Sequence, residues 1–147
     1  MLITMKKYKI GYTAGVYDMF HIGHLNVLIN AKKLCDFLIV GVSTDEVVLK
    51  NKNKMTIIPF EDRIKIIESI KYVDKAVPQT RYDIEGKIIS AYENKIDVMF
   101  VGSDWKGTEK WNVIEKKLNA IGVDVVYLQH TEGISSTMLR NKIGGNR

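Results

Sequence analysis

Apolar and polar positions along the chain follow two rhythms. Short, unbroken apolar runs rich in Val and Ile alternate with longer stretches whose apolar residues recur at helical spacing. The runs Lys9–Thr13, Phe37–Ser43, a short one near Ala76, Val98–Val101 and Val123–Leu128 predict strands. Ile22–Leu34, Glu61–Ile70, Ile84–Asn94 and Glu109–Leu118 predict helices; the second carries Ile64, Ile66, Ile67 and Ile70. Ser135 or Ser136 is placed to cap a terminal helix running through Lys142. Lys50–Pro59, with its lysines and a proline, reads as a loop, and residues 143–147 as a frayed tail.

Strand and helix alternating about five times predict an α/β fold: one doubly wound, Rossmann-like domain with a five-stranded parallel sheet and helices on both faces. Strands covered on both sides show the continuous Val/Ile runs seen here. With 147 residues, 46% apolar and 27% charged, the chain is ordinary globular material, and no linker or repeat divides residues 1–147. The longest apolar runs, such as Phe37–Val42, fall far short of the ~20 residues of a membrane span, and the N-terminus lacks a signal-peptide core. Cys35 is the one cysteine, which excludes an internal disulfide framework and reads as a buried small hydrophobe. A cytoplasmic protein is expected. The net charge of +5 favours anionic ligands without separating nucleotides from nucleic acid or membrane surface.

In such sheets ligands bind at the carboxyl ends of the strands, near the switch in strand order. The turn after the first strand reads Gly15-Val16-Tyr17-Asp18-Met19-Phe20-His21-Ile22-Gly23-His24. It leaves a strand and opens a helix, where free N–H groups and the helix dipole suit an anion. His21 and His24 lie three apart and share one face, with Gly23 leaving room between them. Three readings compete: two ordinary histidines, a metal site, or a phosphate site. Zinc needs more ligands than His130 and Cys35 offer, and the strand-to-helix position favours phosphate.

This segment resembles the His-x-Gly-His signature of the nucleotidyltransferase superfamily that holds the cytidylyltransferases. Lysines in that family close over the triphosphate at a set spacing before a Glu-x-Arg. Counting back from Arg63 in Glu61-Asp62-Arg63, Lys52 and Lys54 fall at those positions. Without the resemblance they read as solvated surface. The resemblance makes His21, His24, Lys52, Lys54 and Arg63 the catalytic set, and gives Thr13, Ala14, Gly15 and Tyr17 to the nucleotide.

Three further segments fit. Lys71-Tyr72-Val73-Asp74 is similar to the family's Arg-Tyr-Val-Asp, with a lysine that lacks the two-pronged geometry of arginine. By residue type alone, Asp74 either orients a base or closes a turn. Gly102-Ser103-Asp104-Trp105 resembles the family's Gly-Asp-Asp-Trp, which implies that Gly102, Asp104 and Trp105 hold the cytosine and ribose. His130-Thr131-Glu132-Gly133-Ile134-Ser135-Ser136-Thr137-Met138-Leu139-Arg140 resembles Arg-Thr-x-Gly-Ile-Ser-x-Thr-x-x-Arg/Lys. Its residue types alone read as a Ser-capped surface helix. The resemblance gives His130, Thr131, Ile134, Ser135, Ser136, Thr137 and Arg140 to the triphosphate tail, His130 standing where arginine is usual.

The resemblance runs from Tyr12 to Arg140 and is strongest to the small glycerol-3-phosphate cytidylyltransferases. It implies transfer of CMP from CTP to a small phosphorylated alcohol, a homodimer, and Mg²⁺ with Asp18 and Asp45 near the ion or its water shell. Asp18, Lys71, Asp74 and Arg81 are the expected acceptor contacts. The stretch Pro78–Ile96 matches the family least, and Arg81, Tyr82 and Lys87 within it are candidates for acceptor specificity. The alternatives are another phosphomonoester acceptor, an adenylyltransferase on the same scaffold, or a non-catalytic nucleotide sensor. Nucleic acid and membrane insertion are not expected, since no stacking-aromatic sheet or recognition-helix motif is present.

Overall fold

A computed structural model describes residues 8–129 and 136–144. The strands are β1 (Tyr8–Gly15), β2 (Cys35–Ser43), β3 (Lys75–Gln79), β4 (Val98–Gly102) and β5 (Asp124–Leu128). The helices are α1 (Ile22–Lys33), α2 (Asp45–Lys52), α3 (Phe60–Glu68), α4 (Ile84–Asn94), α5 (Glu109–Ala120) and α6 (Ser136–Gly144), and Ser103–Trp105 forms a single 3₁₀ turn. All strand pairs are parallel, in the order β3-β2-β1-β4-β5. The expected doubly wound α/β sheet is present.

Side-chain alternation divides the core between the two faces of the sheet. Leu38, Val40 and Val42 of β2 and Val98 and Phe100 of β4 pack with Leu28 and Ala31 of α1 and Ile67 of α3. Tyr12, Ile39, Met99 and Val101 point the other way, onto Ala91 of α4 and Trp111, Ile114 and Leu118 of α5. Cys35 is buried, as expected, its thiol donating to the Ala31 carbonyl (3.4 Å). Pro78 is tolerated because β3 is an edge strand, so its missing N–H costs no central ladder bond.

The chain builds outward from β1 through β2 to β3, then returns to place β4 on the other side of β1. The switch point therefore lies between the carboxyl ends of β1 and β4, where Gly15 and Gly102 end their strands.

Two expectations are corrected. Asp45–Lys52 is a helix, capped by the Thr44 hydroxyl on Val47 N, so Lys50 and Lys52 stand on its last turn rather than in a loop. The terminal helix continues to Gly144, so Ile143 and Gly144 belong to α6 and not to a frayed tail. Among the described residues no helix is long and apolar enough to cross a membrane.

Candidate active site

The first turn is shaped by two non-glycine residues in left-handed backbone conformations, Tyr17 (φ 56°) and Met19 (φ 49°). Such positions cost ~1–3 kcal/mol each and persist only where the surroundings impose them. Here the Tyr17 ring supplies the constraint, being buried and lying over Gly15, where a Cβ would meet the ring at 3.0 Å. The turn delivers His21 to the N-cap of α1 with extended backbone.

The two histidines then cap the helix reciprocally. His21 Nδ1 accepts the Gly23 N–H at 3.0 Å, and His24 Nδ1 accepts the His21 N–H at 3.2 Å. An imidazole nitrogen that accepts carries no proton, so each neutral ring holds its proton on Nε2. Burial pushes His24 down to about 4, with His21 adding to the effect and Asp18 opposing it; burial also lowers His21. At neutral pH both rings are uncharged donors. The Nε2 of His21 is buried with no protein partner among the described residues, an orphan donor that an anion would satisfy. The Nδ1 atoms of both rings are spent on the helix cap, and among the described residues no group of three His, Cys, Asp or Glu side chains is placed to hold a metal ion.

A cleft of about 480 Å³ opens above this turn, the size of a small-molecule site. Thr13, Ala14, Gly15, Tyr17, Asp18, His24, Lys52, Lys54, Gly102, Trp105 and Arg140 line it, so the structure brings these expected site residues together. Three of them form a cationic cluster. Lys52 titrates below its usual range through burial first, and then through the nearness of Lys54 and Arg140. Like charges held this close call for a polyanion. Gly102 has ordinary dihedrals (φ −61°, ψ 142°), and a Cβ there would meet nothing within 4 Å. Open space over the carboxyl end of β4 leaves room for a ligand to approach.

Arg63 corrects the sequence reading. Its side chain is buried, and its guanidinium donates to the carbonyls of Ile58 (2.8 Å), Val16 (2.7 Å) and Ser43 (2.7 Å) and to Asp45 Oδ1 (2.7 Å). It ties the first turn, the end of β2 and the loop before α3 together, and it does not line the cleft. Asp45 completes the tie by accepting from Thr56 Oγ1 (2.9 Å) and Phe60 N (3.2 Å). Those donors hold its carboxyl below the usual carboxylate range. Asp18 is equally committed, to Ile57 N (2.8 Å), Ile58 N (2.9 Å) and Arg140. The two carboxylates implied for Mg²⁺ therefore do not make a metal-binding set in this chain.

The expected acceptor contacts are scattered. Asp74 sits at the amino end of β3, where it accepts from Leu38 N (2.7 Å) and pairs with Lys32. That is a strand length from the cleft, ~16 Å at about 3.3 Å per residue. Lys71, three residues earlier, has its ammonium over the Tyr72 ring. Arg81 is exposed and paired with Asp83 and Glu85. Asp104 lies in the exposed 3₁₀ turn, beside the cleft rather than in its lining. His130, Thr131, Ile134 and Ser135 lie outside the described residues, and Ser136 and Thr137 open α6.

Tyr82 and Lys87, two of the acceptor candidates, also line the cleft, joined to Ser43 and Gln79, which the sequence reading did not single out. Lys87 Nζ donates to Gln79 Oε1 (2.8 Å), Gln79 Nε2 to Ser43 Oγ (2.9 Å), and Tyr82 Oη to the same hydroxyl (2.8 Å). Lys110 donates to the Tyr82 carbonyl (2.7 Å). Burial, with Lys110 nearby, brings Lys87 down to about 8. The available signal was polar residues ending strands: Ser43 closes β2 and Gln79 closes β3.

On this parallel doubly wound sheet the imidazoles and the cation cluster gather by one cleft, and the family match makes the chain a nucleotidyltransferase. Residues 12–142 match the cytidylyltransferase-like family, and the chain belongs to it. It is 38% identical over 133 residues to the glycerol-3-phosphate cytidylyltransferase of Bacillus subtilis (strain 168), covering 90% of this chain and 95% of that one. It is also 38% identical over 111 residues to the FAD synthase of Pyrococcus abyssi (strain GE5 / Orsay), covering 76% and 72%. Among solved structures it is similar to a lipopolysaccharide core biosynthesis protein from Thermoplasma volcanium GSS1. That match has a TM-score of 0.68 and 29% identity over 84% of this chain and 97% of that one.

Proposed function

We propose that the protein transfers CMP from CTP to a small phosphomonoester, glycerol 3-phosphate in the first place, giving CDP-glycerol and pyrophosphate. The observation that carries this reading is the meeting of the His24 imidazole and the Lys52–Lys54–Arg140 cluster in the lining of one cleft, with the orphaned Nε2 of His21 on the ring stacked against His24. An acceptor phosphate with a second pKa of about 6 is mostly dianionic at neutral pH and needs no general base. Its oxygen attacks the α-phosphorus in line, the bond to the bridging oxygen breaks, and pyrophosphate leaves with that oxygen. The barrier is the gathering of anions and the spread of charge onto the leaving group, so catalysis is positioning plus electrostatic stabilisation.

In this reading His21 and His24 donate to the α- and β-phosphate oxygens, and Lys52, Lys54 and Arg140 hold the β- and γ-phosphates. His130, Thr131, Ile134, Ser135, Ser136 and Thr137 join them by resemblance. Gly102, Asp104 and Trp105 take the base and ribose. Mg²⁺ enters as the counter-ion of the triphosphate, a mode in which nucleotide oxygens and water supply most ligands. The Lys87–Gln79–Ser43–Tyr82 group then faces the acceptor. Two ammonium groups there favour an acceptor bearing hydroxyls and negative charge over the cationic heads of phosphocholine and phosphoethanolamine. A homodimer in the cytoplasm goes with the family resemblance, and sedimentation tests the dimer.

The test is pyrophosphate release from CTP, ATP, UTP and GTP, each with glycerol 3-phosphate, ribitol 5-phosphate, phosphocholine and phosphoethanolamine. Release with CTP and a polyol phosphate alone is expected. The likeness to an FAD synthase favours a second reading, adenylyl transfer to a phosphorylated precursor, for which turnover with ATP and FMN is the sign.

A further inference from the structure

The segment that carries Lys54 to the cleft runs from Asn53 to Pro59 between two helices, without regular structure to hold it. Its backbone is fastened from outside. Asp18, 2% exposed, accepts the N–H of Ile57 on Oδ2 and that of Ile58 on Oδ1, and Arg140 of α6 pairs with the same carboxylate. One buried charge therefore joins the first turn, the lysine loop and the C-terminal helix, three segments far apart in sequence. It also offsets part of the positive charge whose nearness, after burial, lowers Lys52.

From this geometry we infer that Asp18 is a positioning residue. Its carboxylate sets where Lys52, Lys54 and Arg140 meet the nucleotide, acting through the Ile57–Ile58 backbone and the Arg140 guanidinium, and it contacts neither a metal ion nor the acceptor. Both oxygens already accept N–H donors, which leaves the orientation of the carboxylate fixed by the protein. A carboxylate suits the position because Ile57 N, Ile58 N and Arg140 all donate to it. An asparagine would keep one acceptor, turn an N–H₂ towards the other amide and remove the charge opposite Arg140.

The kinetic arm of the test rests on the nucleotide-transfer reading, and the exchange arm does not. In Asp18→Asn the amides of Ile57 and Ile58 should exchange with deuterium at least tenfold faster in the free protein. The KM for CTP should rise tenfold or more with kcat at saturation within a few-fold. The Mg²⁺ concentration for half-maximal rate should stay unchanged. Unchanged amide protection overturns the inference. So does a raised Mg²⁺ requirement, restored by Mn²⁺, with KM for CTP intact. If Asp18→Asn does not fold, Ile57→Pro removes one donor while leaving the carboxylate in place; a rise in the KM for CTP supports the inference and an unchanged KM refutes it. If the wild-type protein releases no pyrophosphate from CTP, the proposed function fails while the exchange experiment still decides the role of Asp18.

Discussion

His21 and His24 stack with ring centroids 3.8 Å apart and planes 24° from parallel, each Nδ1 closing the same helix start. This pairing fixes both tautomers by spending both Nδ1 atoms on backbone N–H groups, and it leaves the Nε2–H of each ring outside the cap. A structural role and a chemical role thus reside on opposite sides of one ring. Substitution can separate them.

Asparagine at position 24 can place an oxygen near the Nδ1 position but has nothing at Nε2. His24→Asn should therefore keep the melting temperature within a few degrees while lowering kcat by ~10²–10³, the usual loss for one preorganised donor. His24→Ala should lose the cap as well, with ~1 kcal/mol of additional destabilisation. Thermal melts and steady-state kinetics on the two variants check both statements. Turnover of His24→Asn within a few-fold of wild type would remove His24 from the chemistry.

The depressed His24 also gives stability a direction with pH. Its folded-state value, about 4, lies below the unfolded value of about 6.5, so between those limits the unfolded chain binds more protons. The contribution is fully present above pH 6.5 and is lost as the pH falls towards 4. The urea midpoint should fall between pH 7 and pH 5, and fall less in His24→Asn. Equal slopes in the two proteins would contradict the burial of this ring.

Arg63 should behave as scaffold. Lysine at 63 presents donors from a single point and cannot span three carbonyls and a carboxylate spread around a planar fork. Arg63→Lys keeps the charge opposite Asp45 but leaves buried carbonyls unpaired, and it should destabilise the fold by ~1–3 kcal/mol. A phosphate clamp would instead leave the denaturation midpoint in place and raise the KM for CTP. Chemical denaturation decides between them.

These cases also show where the sequence was legible. Strands buried on both faces announce themselves as unbroken runs, so Phe37–Ser43 and Val98–Val101 read correctly to within two residues. The helix α2 did not, because eight residues, half of them charged, that bury only Val47 and Val48 show no period. Motif spacing marks Arg63 as belonging with Lys52 and Lys54. It cannot tell a residue that touches the ligand from one that holds the loop around it, since burial is a property of the packed fold. Asp74 stands at the amino end of β3, and a motif match does not show that its carboxylate is engaged there by Leu38 N and Lys32. The Lys87–Gln79–Ser43–Tyr82 network joins residues up to 44 positions apart, through strand neighbours β2 and β3. Its members show locally only as polar strand ends and as candidates in the Pro78–Ile96 stretch, and their contacts with one another arise from packing.

That network makes the last prediction. Lys87 is tuned to about 8, so its charge is present at neutral pH and is lost as the pH rises through 8 to 9. An anionic acceptor held by this ammonium should bind more weakly over that interval, its KM climbing while the KM for CTP stays level. Binding of the acceptor itself raises the Lys87 value, so kcat should hold to higher pH than kcat/KM for the acceptor. Lys87→Met keeps the length and apolar contacts of the stem and removes the charge. It should raise the acceptor KM tenfold or more at pH 7 and abolish the alkaline fall in acceptor kcat/KM. The pH profiles of the two proteins against a polyol phosphate are the measurement. If Lys87→Met instead raises the KM for CTP and spares that of the acceptor, this end of the cleft belongs to the nucleotide, and the acceptor enters over the exposed Trp105 rim.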